Sequence, residues 1–386
     1  MTSTSKRHLF SLPEGEHYLN CAYLSPLAKP VEAAAVAALV RRRNPTQIRP
    51  EDFFTDAATA RTLFARLIRA PDPSRVALVP SVSYGMATVA RNLALRAGQN
   101  VVVAHAQFPS NVYVWRQACA DAGAELRVVR PPPDSAGRGE GWNARLLEAI
   151  DGSTALVALG NVHWADGTRF DLERIGARAR EVGALLVVDG TQSVGALPFD
   201  LTRVQPDALV CASYKHMMGP YALSCLWLGP RFDGGRPLEE TWLGRRGSED
   251  FAGLVDYVDD YQPGALRYDM GERSAFVLMQ MLVAALEMIQ SWGPDHVQAY
   301  CRGLMADAVA RAQGLGYEVE DPAWRGWHMF GLRLPQSVDP ARLQALLRER
   351  RVTVSVRGDA VRVAPNVYNE ADDVDALMDA LQAAVR

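Results

Sequence analysis

Seven short apolar runs, each leaving its apolar stretch at a polar turn, constrain this chain more than any other feature. They are "VALVP" (76–80), "NVVVAH" (100–105), "ELRVVRP" (125–131), "TALVALG" (154–160), "ALLVVDG" (184–190), "ALVCAS" (208–213) and "LSCLWLG" (223–229). Most are continuous rather than alternating, so the sheet they build must be covered on both faces. The helical patterns between them, including "SNVYVWRQACADAG" (110–123) and "DLERIGARAREVG" (171–183), make that sheet mostly parallel. Too few residues separate the last two runs for a crossover helix, so these are expected to pair antiparallel. The fold class is α/β.

After residue 290 the pattern changes. A helical stretch (about 294–314) precedes "WHMFGLRLP", the helix "DPARLQALLRERR", the strands "VTVSVRG" and "AVRVAP", and a last helix from about 370. This predicts a small α+β domain over 291–386, a large domain over 46–290, and an N-terminal segment over 1–45 that packs on the small domain through "PVEAAAVAALVRRR". The Pro/Gly-rich stretch "RPPPDSAGRGEGW" (130–142) reads as a surface loop.

Several function classes have no support. A formal net charge of −3 and the absence of a Lys/Arg-rich block give no case for nucleic acid. The most apolar helix candidate, 275–289, is too short to span a bilayer and is interrupted by Gln280 and Glu287, so no membrane association is expected. The N-terminus lacks the apolar core of a secretory signal. Five widely spaced cysteines (21, 119, 211, 225, 301) fit reduced thiols in a cytoplasmic protein, and no pair has metal-site spacing.

Ligands of open α/β sheets sit outside the carboxyl ends of the strands. Asp189 ends one run there, and Lys215 follows the end of another. At a third, Ser81, Val82 and Ser83 open a helix whose free N–H groups suit an anion. Phe108 and Asn111, in "HAQFPSNVYVW", lie just past a fourth. A carboxylate, a lysine, an anion cradle and an aromatic face on one edge suit pyridoxal 5'-phosphate: Asp189 to the ring nitrogen, Lys215 to the aldehyde, the helix start to the phosphate, Phe108 over the ring. Arg362 lies on the apolar strand "AVRVAP", where an unpaired guanidinium is costly and a carboxylate partner relieves the cost.

"VVDGTQSVGALPFDL" followed by "SYKHMMGPYALSCLWLG" resembles the class V aminotransferase family of fold type I pyridoxal-phosphate enzymes, and the likeness covers nearly the whole chain. "YLNCAYLSPL", "ALRYDMGE" and "AVRVAPNVYNEADDVDALMDAL" are similar to the family's opening, central turn and C-terminal segments. The resemblance implies that Gln192 reaches the cofactor's phenolic oxygen and that Tyr214 reaches the phosphate. It implies that Trp164 stands where the family usually has an asparagine. Trp242 and Ser274 resemble positions that approach the phosphate from a neighbouring subunit, which implies a homodimer with shared sites. It also implies that Arg362 holds the α-carboxylate of an amino-acid substrate, with Arg357 a second candidate. His163 is a candidate for cofactor or substrate contact, whereas His216 reads as structural.

Two departures separate the chain from well-known branches. No cysteine stands in "RRVTVSVRGDAVRVAP" (350–365), so the persulfide chemistry of cysteine desulfurases is not expected. Kynureninases carry histidine where this chain has Gln192. The reading that remains is α-proton abstraction followed by β-elimination from a β-substituted amino acid, a C–S lyase type of reaction. Transamination, epimerisation and a non-catalytic cofactor-binding role are the alternatives.

Overall fold

The computed structural model describes residues 4–133 and 137–386. All seven apolar runs form one sheet. Its spatial order is Val76–Val79, Ser224–Leu228, Ala208–Ala212, Leu185–Asp189, Thr154–Gly160, Asn100–Ala104, Glu125–Val129. Only Ser224–Leu228 runs against the others, and it is antiparallel to both of its neighbours. The short link from Ala212 to Ser224 forces that reversal, as its length predicts.

Alternation along each strand divides the core into two layers. Val102 and Ala104 join Phe64, Leu146, Ile175 and Leu286 on one face. Val101 and Val103 join Met86, Val89, Trp115 and Cys119 on the other. Successive side chains of a strand point to opposite faces, so a run that is apolar throughout needs helices on both. The helices Thr55–Leu67, Arg138–Ala149, Leu172–Val182 and Phe276–Trp292 cover the first face, and Val82–Arg91 and Tyr113–Ala122 cover the second.

A four-stranded antiparallel sheet carries the C-terminal third, in the order Ser355–Arg357, Ala360–Val363, Phe330–Arg333, Glu318–Val319. With the helices Pro294–Gly314, Pro340–Glu349 and Ala371–Val385 it encloses a separate apolar cluster. The N-terminal segment reaches this unit through the strand His17–Tyr18, which pairs in parallel with Val352–Thr353, and through buried Leu19.

Two expectations need correction. The helix Lys29–Arg42 does not join the C-terminal unit: it lies along Phe276–Trp292 of the large sheet's first face. Val31 is its sole buried residue, so its weak apolar stripe gave the sequence no means of choosing a partner. The Pro/Gly-rich stretch 130–142 is a loop only at its start. Gly137 has φ +66°, and from Arg138 the chain is helical through Gly139 and Gly141. A Cβ on Gly139 would fall 2.4 Å from Cβ of Trp324, so glycine there permits a close approach between elements rather than a turn. Residues 134–136 of that stretch lie outside the described residues.

Among the described residues, no single helix is long and apolar enough to cross a membrane, and no group of three His, Cys, Asp or Glu side chains could hold a metal ion.

Candidate active site

The carboxyl ends of the parallel strands open into one cavity of about 200 Å³. Its wall includes Ser81, Val82, Ser83, Phe108, Asn111, His163, Trp164, Asp189, Gln192, Tyr214 and Lys215. Residues from five strand ends therefore converge, as the sheet topology requires.

Asp189 closes its strand with its carboxylate on the cavity and protein around the rest. Its Oδ1 accepts from the backbone N–H of Thr191 at 3.0 Å. Burial pushes its pKa up, against the lowering effects of Thr191 and Lys215. Such a carboxylate is best stabilised by a cationic N–H donor in the cavity. Lys215 is 7% exposed, and its Nζ lies 5.5 Å from the ring centre of Phe108 and 5.7 Å from that of Tyr214. Burial pushes its pKa down to about 8; Arg362 and Arg357 add to the shift and Asp189 opposes it. An amine titrating there is partly uncharged near neutrality and so nucleophilic.

Ser81 caps the helix Val82–Arg91, accepting from the N–H of Tyr84 at 3.1 Å, and its hydroxyl meets that of Ser83 at 2.9 Å. Such a helix start, with its hydroxyls, can receive a phosphate. Phe108 presents an open ring, 36% exposed, with Trp164 edge-on at 5.5 Å between centres. The Trp164 indole N–H donates to the carbonyl of Ala106 at 2.7 Å, so this side chain closes the cavity wall and offers no amide to a ligand.

Three non-glycine residues close in sequence to Phe108 and Lys215, namely Ala106, Met218 and Ala222, have φ of +53°, +53° and +67°. Left-handed backbone at non-glycine positions is a strained conformation of the kind that collects at functional sites. Here it shapes the turns that carry Phe108 and Lys215.

Unsatisfied polar atoms show what the cavity lacks. Gln192 donates from Nε2 to the Ala22 carbonyl at 3.1 Å, while its buried Oε1 has no partner. Asn111 accepts from the Trp115 indole N–H at 2.8 Å, and its buried Nδ2 has none. Buried polar atoms without partners are costly and rare, so a polar ligand beside them is the physical expectation. With the carboxylate of Asp189, the amine of Lys215, the Ser81 helix start and the face of Phe108, this donor set fits pyridoxal phosphate.

Other candidates fall elsewhere. Arg362 is 1% exposed and donates to the Trp164 carbonyl at 2.6 Å and to Ser355 Oγ at 3.3 Å. Arg357 lies with its guanidinium 5.6 Å from the Trp164 ring centre. Neither lines the cavity, but both adjoin Trp164, which does, and both act electrostatically on Lys215. Trp242 and Ser274 do not reach the cavity within this chain. They line a separate concavity with Phe53 and Phe276, where Ser274 Oγ donates to the Phe53 carbonyl at 2.7 Å. His163 lines the cavity, and its Nδ1 meets Asp166 Oδ1 at 3.0 Å. His216, beside Lys215, is fully buried against the ring of His328, and both its ring nitrogens lack partners.

Sequence reasoning missed Gln107, Thr191 and Tyr221, all of which line the cavity. Gln107 joins two strand-end loops, donating to Asn111 O at 2.8 Å and Ala158 O at 3.1 Å and accepting from Gly160 N at 3.2 Å. Its place three residues past the end of the strand Asn100–Ala104 was a usable signal. The five cysteines are buried and free, and burial pushes the Cys21 thiol up to about 12. None is poised as a thiolate nucleophile.

The family model "Aminotransferase class-V" matches residues 36–377. The chain is 29% identical over 325 residues to the uncharacterized aminotransferase YcbU of Bacillus subtilis (strain 168), covering 84% of this chain and 82% of that protein. It is 26% identical over 344 residues to the isopenicillin N epimerase of Streptomyces clavuligerus, covering 84% and 83%. A solved structure of the cystine C-S lyase C-DES with its product cysteine persulfide superposes with a TM-score of 0.83 at 18% identity, covering 96% of this chain and 98% of that one. At that identity the likeness is one of fold.

Proposed function

Because the chain belongs to the aminotransferase class-V family and has the fold type I architecture, we propose that this pyridoxal-phosphate enzyme removes the α-proton of an amino acid and expels its β-substituent. The observation that carries the reading is the placement of Lys215 and Asp189 on one buried cavity with no reactive thiol beside them. Pyridoxal phosphate, when bound, supplies an electron sink conjugated with the substrate's α-carbon.

The chain's own residues do the rest. Asp189 would hold a proton on the ring nitrogen, the Ser81 helix start would hold the phosphate, and Phe108 would cover the ring. Lys215 would hold the aldehyde carbon, and its free amine would accept the substrate's α-proton. Arg362 orients the α-carboxylate. A β-substituent then leaves with its bonding electron pair, and hydrolysis of the remaining three-carbon fragment gives pyruvate and ammonia.

Transamination is the second reading, favoured by the likeness to YcbU across most of both chains. It uses the same base and the same carboxylate anchor. We further propose a homodimer, in which the concavity holding Trp242 and Ser274 meets a second copy of the chain. The adjoining apolar run supports this, with Val255 79% and Tyr257 97% exposed.

The deciding experiment incubates the cofactor-loaded enzyme with a panel of β-substituted and unsubstituted amino acids. Pyruvate with ammonia from the β-substituted members supports elimination. A keto acid formed together with aminated cofactor supports transamination, and racemised substrate alone overturns both.

A further inference from the structure

Two guanidinium groups stand beside the site, and among the described residues no acid neutralises them. Ser355–Arg357 and Ala360–Val363 pair antiparallel, with Ser355 opposite Arg362 and Arg357 opposite Ala360. Arg357 and Arg362 are therefore diagonal neighbours on the same face of the sheet, with backbones about 7–8 Å apart. Both meet Trp164: Arg362 through its carbonyl, Arg357 through its ring. Trp164 in turn meets Phe108 at the cavity.

Neither arginine forms an ion pair with a carboxylate among the described residues. Arg357 donates to the carbonyl of Val356 at 2.9 Å, and Arg362 to a carbonyl and a hydroxyl. The Nε atoms of both are buried and without partners. Burial and the neighbouring Arg357 push Arg362 down to about 10, a sign of like charges held close with no counter-ion. Among the described residues the acid of the cavity is Asp189, which serves the ring nitrogen. The phosphate is provided for at the Ser81 helix start. One α-carboxylate answers Arg362 and leaves the second cation unmatched.

We infer that Arg357 and Arg362 together read two anionic groups on the substrate, so that the amino acid carries an acidic β-substituent as well as its α-carboxylate. The inference rests on the amino-acid reading of this site and narrows its substrate class. Arg362 takes the α-carboxylate on the apolar strand, and Arg357, nearer the end of its own strand and partly exposed, takes the distal acid. Planar guanidinium groups suit carboxylate, sulfinate or sulfonate, each of which offers two oxygens to the fork.

The test compares isosteres that differ by one charge. Calorimetric titration of the cofactor-loaded enzyme with L-aspartate and L-asparagine reads binding without a leaving group. The KM values of S-carboxymethyl-L-cysteine and S-carbamoylmethyl-L-cysteine read the same charge on a substrate. The acidic member of each pair should be favoured at least about tenfold, or ~1.4 kcal/mol. Arg357→Gln should bring the ratio towards one and Arg357→Lys should keep most of it, whereas Arg362→Gln should weaken both members together. Equal affinity within a pair, or a wild-type ratio in Arg357→Gln, overturns the inference and leaves the lyase reading standing. Failure of every amino acid to bind or to perturb the cofactor spectrum overturns the amino-acid reading itself, and this inference with it.

Discussion

His328 donates from Nε2 to the backbone carbonyl of Gln192 at 2.8 Å, tying the C-terminal unit to the turn that carries a cavity-lining side chain. Its other ring nitrogen accepts from Gln298 Nε2 at 2.9 Å, and Gln298 also donates to Ala196 O at 2.7 Å and accepts from Trp327 N at 2.9 Å. Every atom in this chain of bonds is satisfied only if His328 is neutral.

That neutrality gives the first prediction. Burial pushes the His328 pKa from 6.5 down to about 4, against the raising effect of the Gln192 carbonyl. Between those values the unfolded chain binds a proton that the folded one refuses, so stability is full above pH 6.5 and falls as the pH drops towards 4. The loss attributable to His328 is about 3 kcal/mol, and buried His216 adds to it in the same direction. Urea midpoints should fall over that window in the wild type and fall less steeply in His328→Gln. An unchanged slope in the variant would show that His328 is not the titrating group.

Lys215 should govern cofactor capture. With its amine titrating near 8, covalent attachment of pyridoxal phosphate to the apoprotein should speed up about tenfold per pH unit below 8 and level off above it. Asp189 raises this pKa, so Asp189→Asn should shift the rise to lower pH. Lys215→Ala should yield no borohydride-fixed adduct. Adduct found on another lysine would refute the assignment.

Asp189→Asn should also leave the cavity's shape intact while removing the charge proposed to hold a proton on the ring nitrogen. Turnover is expected to fall by two orders of magnitude or more, since each pKa unit at stake is worth about 1.4 kcal/mol. Steady-state kinetics of the loaded variant measures it, and near-wild-type turnover would give Asp189 another role.

Asp269 is a stability determinant of the large sheet. Its Oδ2 accepts from both Arg61 and Arg273, and its Oδ1 accepts from the N–H of Leu78 at 2.8 Å. All three charged side chains are buried. Asp269→Ala strands two guanidiniums and should cost about 3–5 kcal/mol in urea unfolding. A loss below about 1 kcal/mol would mean that water replaces the carboxylate.

The dimer proposal predicts twice the single-chain mass in sedimentation equilibrium. Tyr257→Asp, a change at a fully exposed ring, should weaken that association without unfolding the chain. A wild-type monomer with full activity would refute shared sites.

Local pattern alone specifies the α/β sheet, the reversal of its last strand, and the lodging of Asp189, Lys215, Ser81 and Phe108 at one edge. Those features follow from local apolar runs and from the rule that parallel strands end on one side. Packing between distant segments set what local pattern cannot encode. The helix Lys29–Arg42 lies along Phe276–Trp292, a partner its own weak apolar stripe did not name. Gly139 sits in a helix with Trp324 packed against it, a contact no local pattern announces. The bond from His328 to Gln192 and the diagonal of Arg357 and Arg362 arise where distant segments meet. Residue spacing sets which face a side chain takes, but only packing sets what stands opposite that face.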